Sequence, residues 1–328
     1  MKLSESLEYS SLEEKEEAFK STTINTIDEL DEEIQKIQNK NLQYSNGTLR
    51  PFIFRGVNEA KFKLFTSAQR QWIKEEMEPA NMNYFNYIKS LINKSLINDA
   101  RLANIYEQSS NIDWNNLFVM SFLQHYGYPT PILDFTYDIY KGLFFGLYDK
   151  KPSDLLEDNT NINNYFSLYI VPPQNGELCS IVEVYNIDRC KVDAIITSFN
   201  EYYSNMNLET NLVEEKMKKF SLEDLFEYKL LYIPGDQIYS FKIFQIPAFQ
   251  AILDVFNPRQ ERQEGAFIFL GDGKNPLECY FTSGCSNENP TFHIAPIECL
   301  NINKSLRNSI EKKYLIPREI NENTMLLS

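Results

Sequence analysis

The segment from Ser121 to Tyr148, SFLQHYGYPTPILDFTYDIYKGLFFGLY, sets the terms for any fold this chain adopts. Two apolar runs flank a break that no helix can cross. Gly127 stops the first run as a helix, because glycine alone enters the left-handed conformation cheaply. Pro129 and Pro131 then hold the chain extended. Thr136 or Asp138 can cap the helix that follows, since a short oxygen-bearing side chain accepts from its free N–H groups. The spacing therefore predicts two helices joined by a stiff elbow. His125, one of only two histidines, sits in that elbow with Asp134 and Thr136. Polar groups between apolar runs are costly unless paired or used. They form either a network that fixes the elbow or part of a site.

A second anomaly lies upstream. Pro51-Phe52-Ile53-Phe54-Arg55 reads as a short buried strand that ends in a permanent cation. A buried Arg55 needs a carboxylate, a cluster of carbonyls or an anionic ligand. A core salt bridge to Asp134 or Glu264 and an anchor for a ligand phosphate or carboxylate both meet that need. Before it, residues 1 to 20 are polar and acidic, a frayed helix or an arm. Thr26 and Glu29 have capping-box spacing, and Ile27, Leu30, Ile34 and Ile37 mark one helical stripe. Residues 68 to 108 are helical in pattern, and 150 to 164 is a polar loop. Tyr165 to Val171 and Gly265 to Gly271 read as strands, with two more short ones near 278 to 282 and 291 to 297. Strands near both ends with helices between them predict an α+β fold. Its small mixed β-sheet is formed by N- and C-terminal strands and carries a large helical layer. The domain plan is an N-terminal helical segment over 1–45 and one compact domain over 46–328, with an insertion at about 175–245.

At 43% hydrophobic, with 23 Phe and 20 Tyr, the chain can fill a large core. Its 46 acidic residues outnumber 32 basic ones, for a formal charge of −14, which makes generic duplex DNA a poor partner. The five cysteines show no CxxC spacing, so no zinc site is expected and free thiols in a reducing cytoplasm are. The acidic N-terminus has no apolar core of a signal peptide, and no apolar run approaches the roughly 18 residues of a membrane span. The expected setting is cytoplasmic, with no membrane.

Three blocks of this sequence carry a family resemblance. Gln124-His125-Tyr126-Gly127-x-Pro129-Thr130-x-x-Leu133-Asp134-x-Thr136 resembles the central signature of the FRG domain family. The tripeptide for which that family is named stands at Phe54-Arg55-Gly56. Asn257-Pro258-Arg259-x-x-x-Gln263-x-Gly265-x-Phe267 resembles its C-terminal signature. The blocks keep the family's order over about residues 50 to 320. The resemblance implies a bacterial stress or phage-defence setting and leaves the biochemistry to be argued from the residues.

Arg55, His125, Asp134 with Thr136, and the Arg259/Gln263/Glu264 cluster each adjoin an apolar element. No GxSxG, P-loop, HExxH or GxGxxG accompanies them, so serine acyl transfer, nucleoside triphosphate hydrolysis and zinc proteolysis lack support. The pattern is similar in outline to the ADP-ribosyltransferase fold. That likeness implies NAD as substrate, Arg55 as the first-strand residue on its pyrophosphate, and Glu264 or Gln263 as the late group on the ribose. His125 or Asp134 would orient the nicotinamide ribose, and Tyr126, Thr130, Thr136 and Arg259 would complete ligand binding. A non-catalytic module for a small anionic ligand or a protein partner uses the same cluster without chemistry. A nuclease with His125 as base and Arg55 as phosphate clamp, and a purely architectural role, are the remaining alternatives.

Overall fold

A computed structural model describes residues 7–45, 52–75, 84–98, 123–124, 128–148, 160–172, 229–232, 241–245, 265–270, 273–280 and 297–325. The architecture is α+β, around a mixed sheet of eight strands. The strands are β1 (Ser21–Ile24), β2 (Ile53–Val57), β3 (Ile132–Thr136), β4 (Tyr165–Val171), β5 (Lys229–Tyr232), β6 (Phe241–Gln245), β7 (Gly265–Leu270) and β8 (Glu298–Asn303). They lie in the order β1-β8-β4-β2-β3-β7-β6-β5. Only β1 and β8 run parallel; every other neighbour pair is antiparallel.

The sheet is larger than the sequence suggested, and the Pro-rich elbow supplies one of the added strands. The prolines do hold the chain extended, and Ile132–Thr136 then pairs along its length with β7. The elbow is thus a strand in the middle of the sheet. Two strands of the expected insertion, β5 and β6, lengthen the sheet beyond β7. Leu277–Tyr280, which overlaps the strand expected near 278 to 282, forms a 3-10 turn; the strand expected near 291 to 297 lies, but for Ile297, outside the described residues, and β8 follows it.

Side-chain alternation along β4 divides the core in two. Phe166, Leu168 and Ile170 enter one cluster, while Tyr165, Tyr169 and Val171 enter the other. The first cluster is covered by α2 (Ile27–Ser45) and by a helix over Ile139–Leu147. The predicted capping box opens α2, since Glu29 N–H donates to Thr26 Oγ1 and Thr26 N–H to the Glu29 carboxylate. Leu30, Ile34 and Ile37 are buried as the stripe predicts. The second cluster is covered by the chain's beginning, where Tyr9, Leu12 and Phe19 are buried around α1 (Leu12–Ala18). Residues 7 to 20 are therefore packed rather than frayed.

Numbered in chain order, the remaining helices used below are α3 (Ser67–Lys74) and α4 (Tyr84–Asn98), and Ile139–Leu147 is α5. No helix of the described residues is long and apolar enough to cross a membrane.

Candidate functional site

β2 pairs with β4 over all five of its residues, yet with β3 only at Phe54 and Thr136. Beyond that pair the seam between β2 and β3 opens, and a cavity of about 630 Å³ lies against both strands. Residues 54–58 line one side and 132–136 the other; Phe62, Phe65, Ser67 and Arg70 form a further wall. The volume suits a ligand of several dozen atoms rather than a single ion.

Alternation on β2 turns Arg55 away from the α5 face and toward this wall. Its Nη1 donates to the carbonyl of Asp134 at 2.6 Å, and its Nε is buried without a hydrogen-bond partner. Burial lowers the Arg55 pKa and the Asp134 charge works against that shift; the group stays a cation in any case. The core salt bridge foreseen for Arg55 is therefore replaced, toward Asp134, by a contact with its main-chain carbonyl.

Arg70 is placed by the start of α3. Thr66 and Gln69 form a capping box, so the helix begins at a defined residue and Arg70 falls on the cavity side. Its Nη2 donates to Lys63 O at 2.8 Å and its Nε to Phe65 O at 3.4 Å. The guanidinium stands 5.3 Å from the centre of the Phe62 ring. Burial lowers its pKa, the Arg55 charge adds to that, and Glu278 and Glu8 oppose it.

Asp134 is the acid among the charged cavity residues. Oδ2 accepts from Gln124 Nε2 at 2.9 Å, while Oδ1 is buried without a partner. Gln124 Oε1 accepts from the Thr130 hydroxyl, so the amide is oriented from both ends. Thr130 is wholly buried, and its main chain is tied to Ser67 and Ala68 at the start of α3. Thr136 Oγ1 accepts from Asp138 N–H, and Asp138 in turn caps α5 through Tyr140 N–H.

Of the residues singled out from sequence, Arg55, Asp134 and Thr136 line this one cavity, and Thr130 joins them through Gln124. His125, Tyr126, Arg259, Gln263 and Glu264 lie outside the described residues. Sequence reasoning missed Arg70 and the part played by Gln124. The signal for Arg70 was the Thr66-x-x-Gln69 capping box, which fixes the phase of its helix.

It also missed a buried polar cluster behind the wall. Lys15 is fully buried; its Nζ donates to Ala60 O at 2.8 Å and Ser167 Oγ at 2.6 Å, and it lies 4.8 Å from the Tyr169 ring centre. Burial lowers its pKa. Glu278, also fully buried, accepts from Tyr9 Oη at 3.1 Å and from Leu64 N–H with both oxygens, at 2.9 and 3.1 Å. Burial raises its pKa against the pull of those donors and of Lys15. Among the described residues no three His, Cys, Asp or Glu side chains gather as a metal site.

Residues 50–155 match the family model of the FRG domain. That span carries β2, the 62–70 wall, Gln124, β3 and α5, which together make up the cavity. No curated protein and no solved structure matches the chain.

Proposed function

We propose, on the premise that this chain is an FRG-domain protein, that the cavity in the β2–β3 seam binds a small anionic ligand between Arg55 and Arg70. The observation that carries the reading is the company these guanidiniums keep. Both donate to main-chain carbonyls, and among the described residues neither is hydrogen-bonded to a carboxylate. Two cations thus share one cavity with a single acid, Asp134. A phosphate or carboxylate between them supplies the missing counter-charge through charge-assisted, bidentate hydrogen bonds.

NAD meets this specification, and one observation favours it. Its pyrophosphate would lie on the arginines, and the buried, unpartnered Oδ1 of Asp134, once a seated ligand reaches it, is an acceptor for a ribose hydroxyl or for positive charge growing at the anomeric carbon. An ADP-ribosyltransferase-like reaction in a bacterial stress or phage-defence system would add Glu264 or Gln263 as the late group. The alternative is a module that holds an anionic ligand or an acidic partner and performs no chemistry.

Calorimetric titration with pyrophosphate, and separately with NAD, tests binding; nicotinamide release tests chemistry. Wild-type protein should bind with a saturable isotherm. Arg55→Lys and Arg70→Lys should each weaken binding about tenfold or more, because an ammonium copies the fork poorly, while the fold survives. Absence of binding at millimolar pyrophosphate and NAD would sink the anion site. Binding without nicotinamide release would leave the non-catalytic module.

A further inference from the structure

The geometry points to Glu278 as a positioning residue for Arg70, acting through the single peptide group that joins Lys63 to Leu64. This inference rests on the reading of the cavity as an anion site. The carbonyl of Lys63 and the N–H of Leu64 belong to one planar unit. The Glu278 carboxyl takes the N–H end at 2.9 and 3.1 Å, and Arg70 Nη2 takes the carbonyl end at 2.8 Å. An acid and a guanidinium therefore hold opposite ends of one dipole. Each bond strengthens the other, since an acceptor on the N–H makes the carbonyl a better acceptor in turn. The same pair of bonds fixes the plane of the peptide, and with it the direction in which Arg70 is held.

The arrangement is anchored on the far side as well. Leu277 N–H donates to Leu64 O at 3.0 Å, so residues 277–278 grip Leu64 at both its N–H and its carbonyl. Tyr9 Oη holds the carboxyl from behind. Glu278 itself does not line the cavity. Its influence on a ligand must pass through the wall, and Arg70 is the charged group on that wall. The N-terminal segment, through Tyr9, thereby becomes part of what pre-organises the site.

The test uses the full chain with 15N-labelled arginine side chains and inorganic pyrophosphate as probe. Glu278→Gln keeps the size and one acceptor but replaces the carboxyl by a neutral amide of about half the acceptor strength. The Arg70 Nη2–H signal, whose proton goes to Lys63 O, should exchange with water several-fold faster than in wild type, with Arg55 signals unchanged as the internal control. Pyrophosphate binding should weaken about threefold to tenfold, and the same substitution should cost nothing further in an Arg70→Lys background. Tyr9→Phe, which removes one anchor of the carboxyl, should shift the Arg70 signal in the same direction by less. Unchanged Arg70 exchange in both variants overturns the inference, as do equal changes at Arg55 or multiplicative losses in the double variant. Should wild-type protein bind no pyrophosphate, the anion site fails while the exchange measurement still decides the role of Glu278.

Discussion

Gly56→Ala offers the sharpest stability test of this fold. A Cβ built on Gly56 would stand 2.0 Å from Gly142 O, 2.3 Å from Gly146 N and 2.9 Å from Gly146 Cα. All three are main-chain atoms of α5, so no rotamer change can make room. Ordinary contact begins at 3.4 Å, and 3.4 less 2.0 means α5 must retreat by 1.4 Å or β2 must bend by as much. Either movement drags Leu143, Phe144 and Leu147 out of a close-packed core. Over-packing typically costs 1–3 kcal/mol, and a clash with main chain that no rotamer relieves belongs at the upper end, about 3 kcal/mol. For a chain of 328 residues that is a fall in Tm of roughly 4 °C. The neighbouring glycines calibrate the estimate. A Cβ at Gly142 meets the end of the Leu168 side chain at 2.8 Å, which can rotate, so Gly142→Ala should cost about 1 kcal/mol. At Gly146 it meets the Phe166 ring at 2.5 and 2.8 Å, which places Gly146→Ala between the two. Urea unfolding of the three variants gives the order directly. A Gly56→Ala protein within about 0.5 kcal/mol of wild type, or less affected than Gly142→Ala, refutes the close-approach argument.

Three further outcomes are expected. Because burial lowers the Lys15 pKa below its unfolded value of about 10.4, the unfolded chain binds the extra proton between the two values and stability contributed by this site rises with pH across that window; the wild-type urea midpoint should gain on that of Lys15→Met as pH climbs toward 10, and parallel curves would contradict it. Asp134→Asn should weaken NAD binding more than pyrophosphate binding, since only the former brings a donor or growing positive charge to Oδ1; calorimetry giving equal losses would detach Asp134 from the ribose. With a charge of −14, random-sequence duplex DNA should not be retained in a gel shift at about 0.15 M salt, and salt-sensitive retention would reveal a basic surface that the total conceals.

What could be read in the sequence was whatever declares itself locally. The apolar run Tyr165–Val171 is β4 to the residue, and the Thr26–Glu29 box opens α2 where its spacing says it should. Arg55 and Asp134 stood out because each interrupts an apolar element, and they share one cavity. What stayed hidden depends on partners far along the chain. β3 looks like a connector between helices until it is paired with β7, whose register runs from Ile132–Phe269 to Thr136–Gly265. Lys15 sits in a run of glutamates that reads as a solvated arm. Its burial follows from acceptors 45 and 152 residues away, at Ala60 and Ser167. Arg70 and Gln124 resemble ordinary polar residues of helices, and only the turn at 62–65 and the Thr130 hydroxyl give them a direction.

The Phe54-Arg55-Gly56 tripeptide gains a physical reading from the same alternation. Phe54 and Gly56 point to the α5 face and Arg55 to the other. Phe54 is buried in the α5 core, with its Cβ 3.1 Å from where Gly142 would carry one. Gly56, two residues on, has no side chain because main chain of α5 occupies that space. With β2 pressed this closely onto α5 on one side, Arg55 is aimed from a rigid base on the other. Its guanidinium then spans the seam to the Asp134 carbonyl, in the stretch where β2 and β3 exchange no register pair. Phenylalanine and glycine thus set the position of the strand, and arginine bridges the opening that the strand leaves. If that division holds, Gly56→Ala must damage pyrophosphate binding as well as stability, because a displaced β2 carries Arg55 with it. Gly142→Ala, which crowds β2 only at Phe54 Cβ, 3.1 Å away, must damage binding far less.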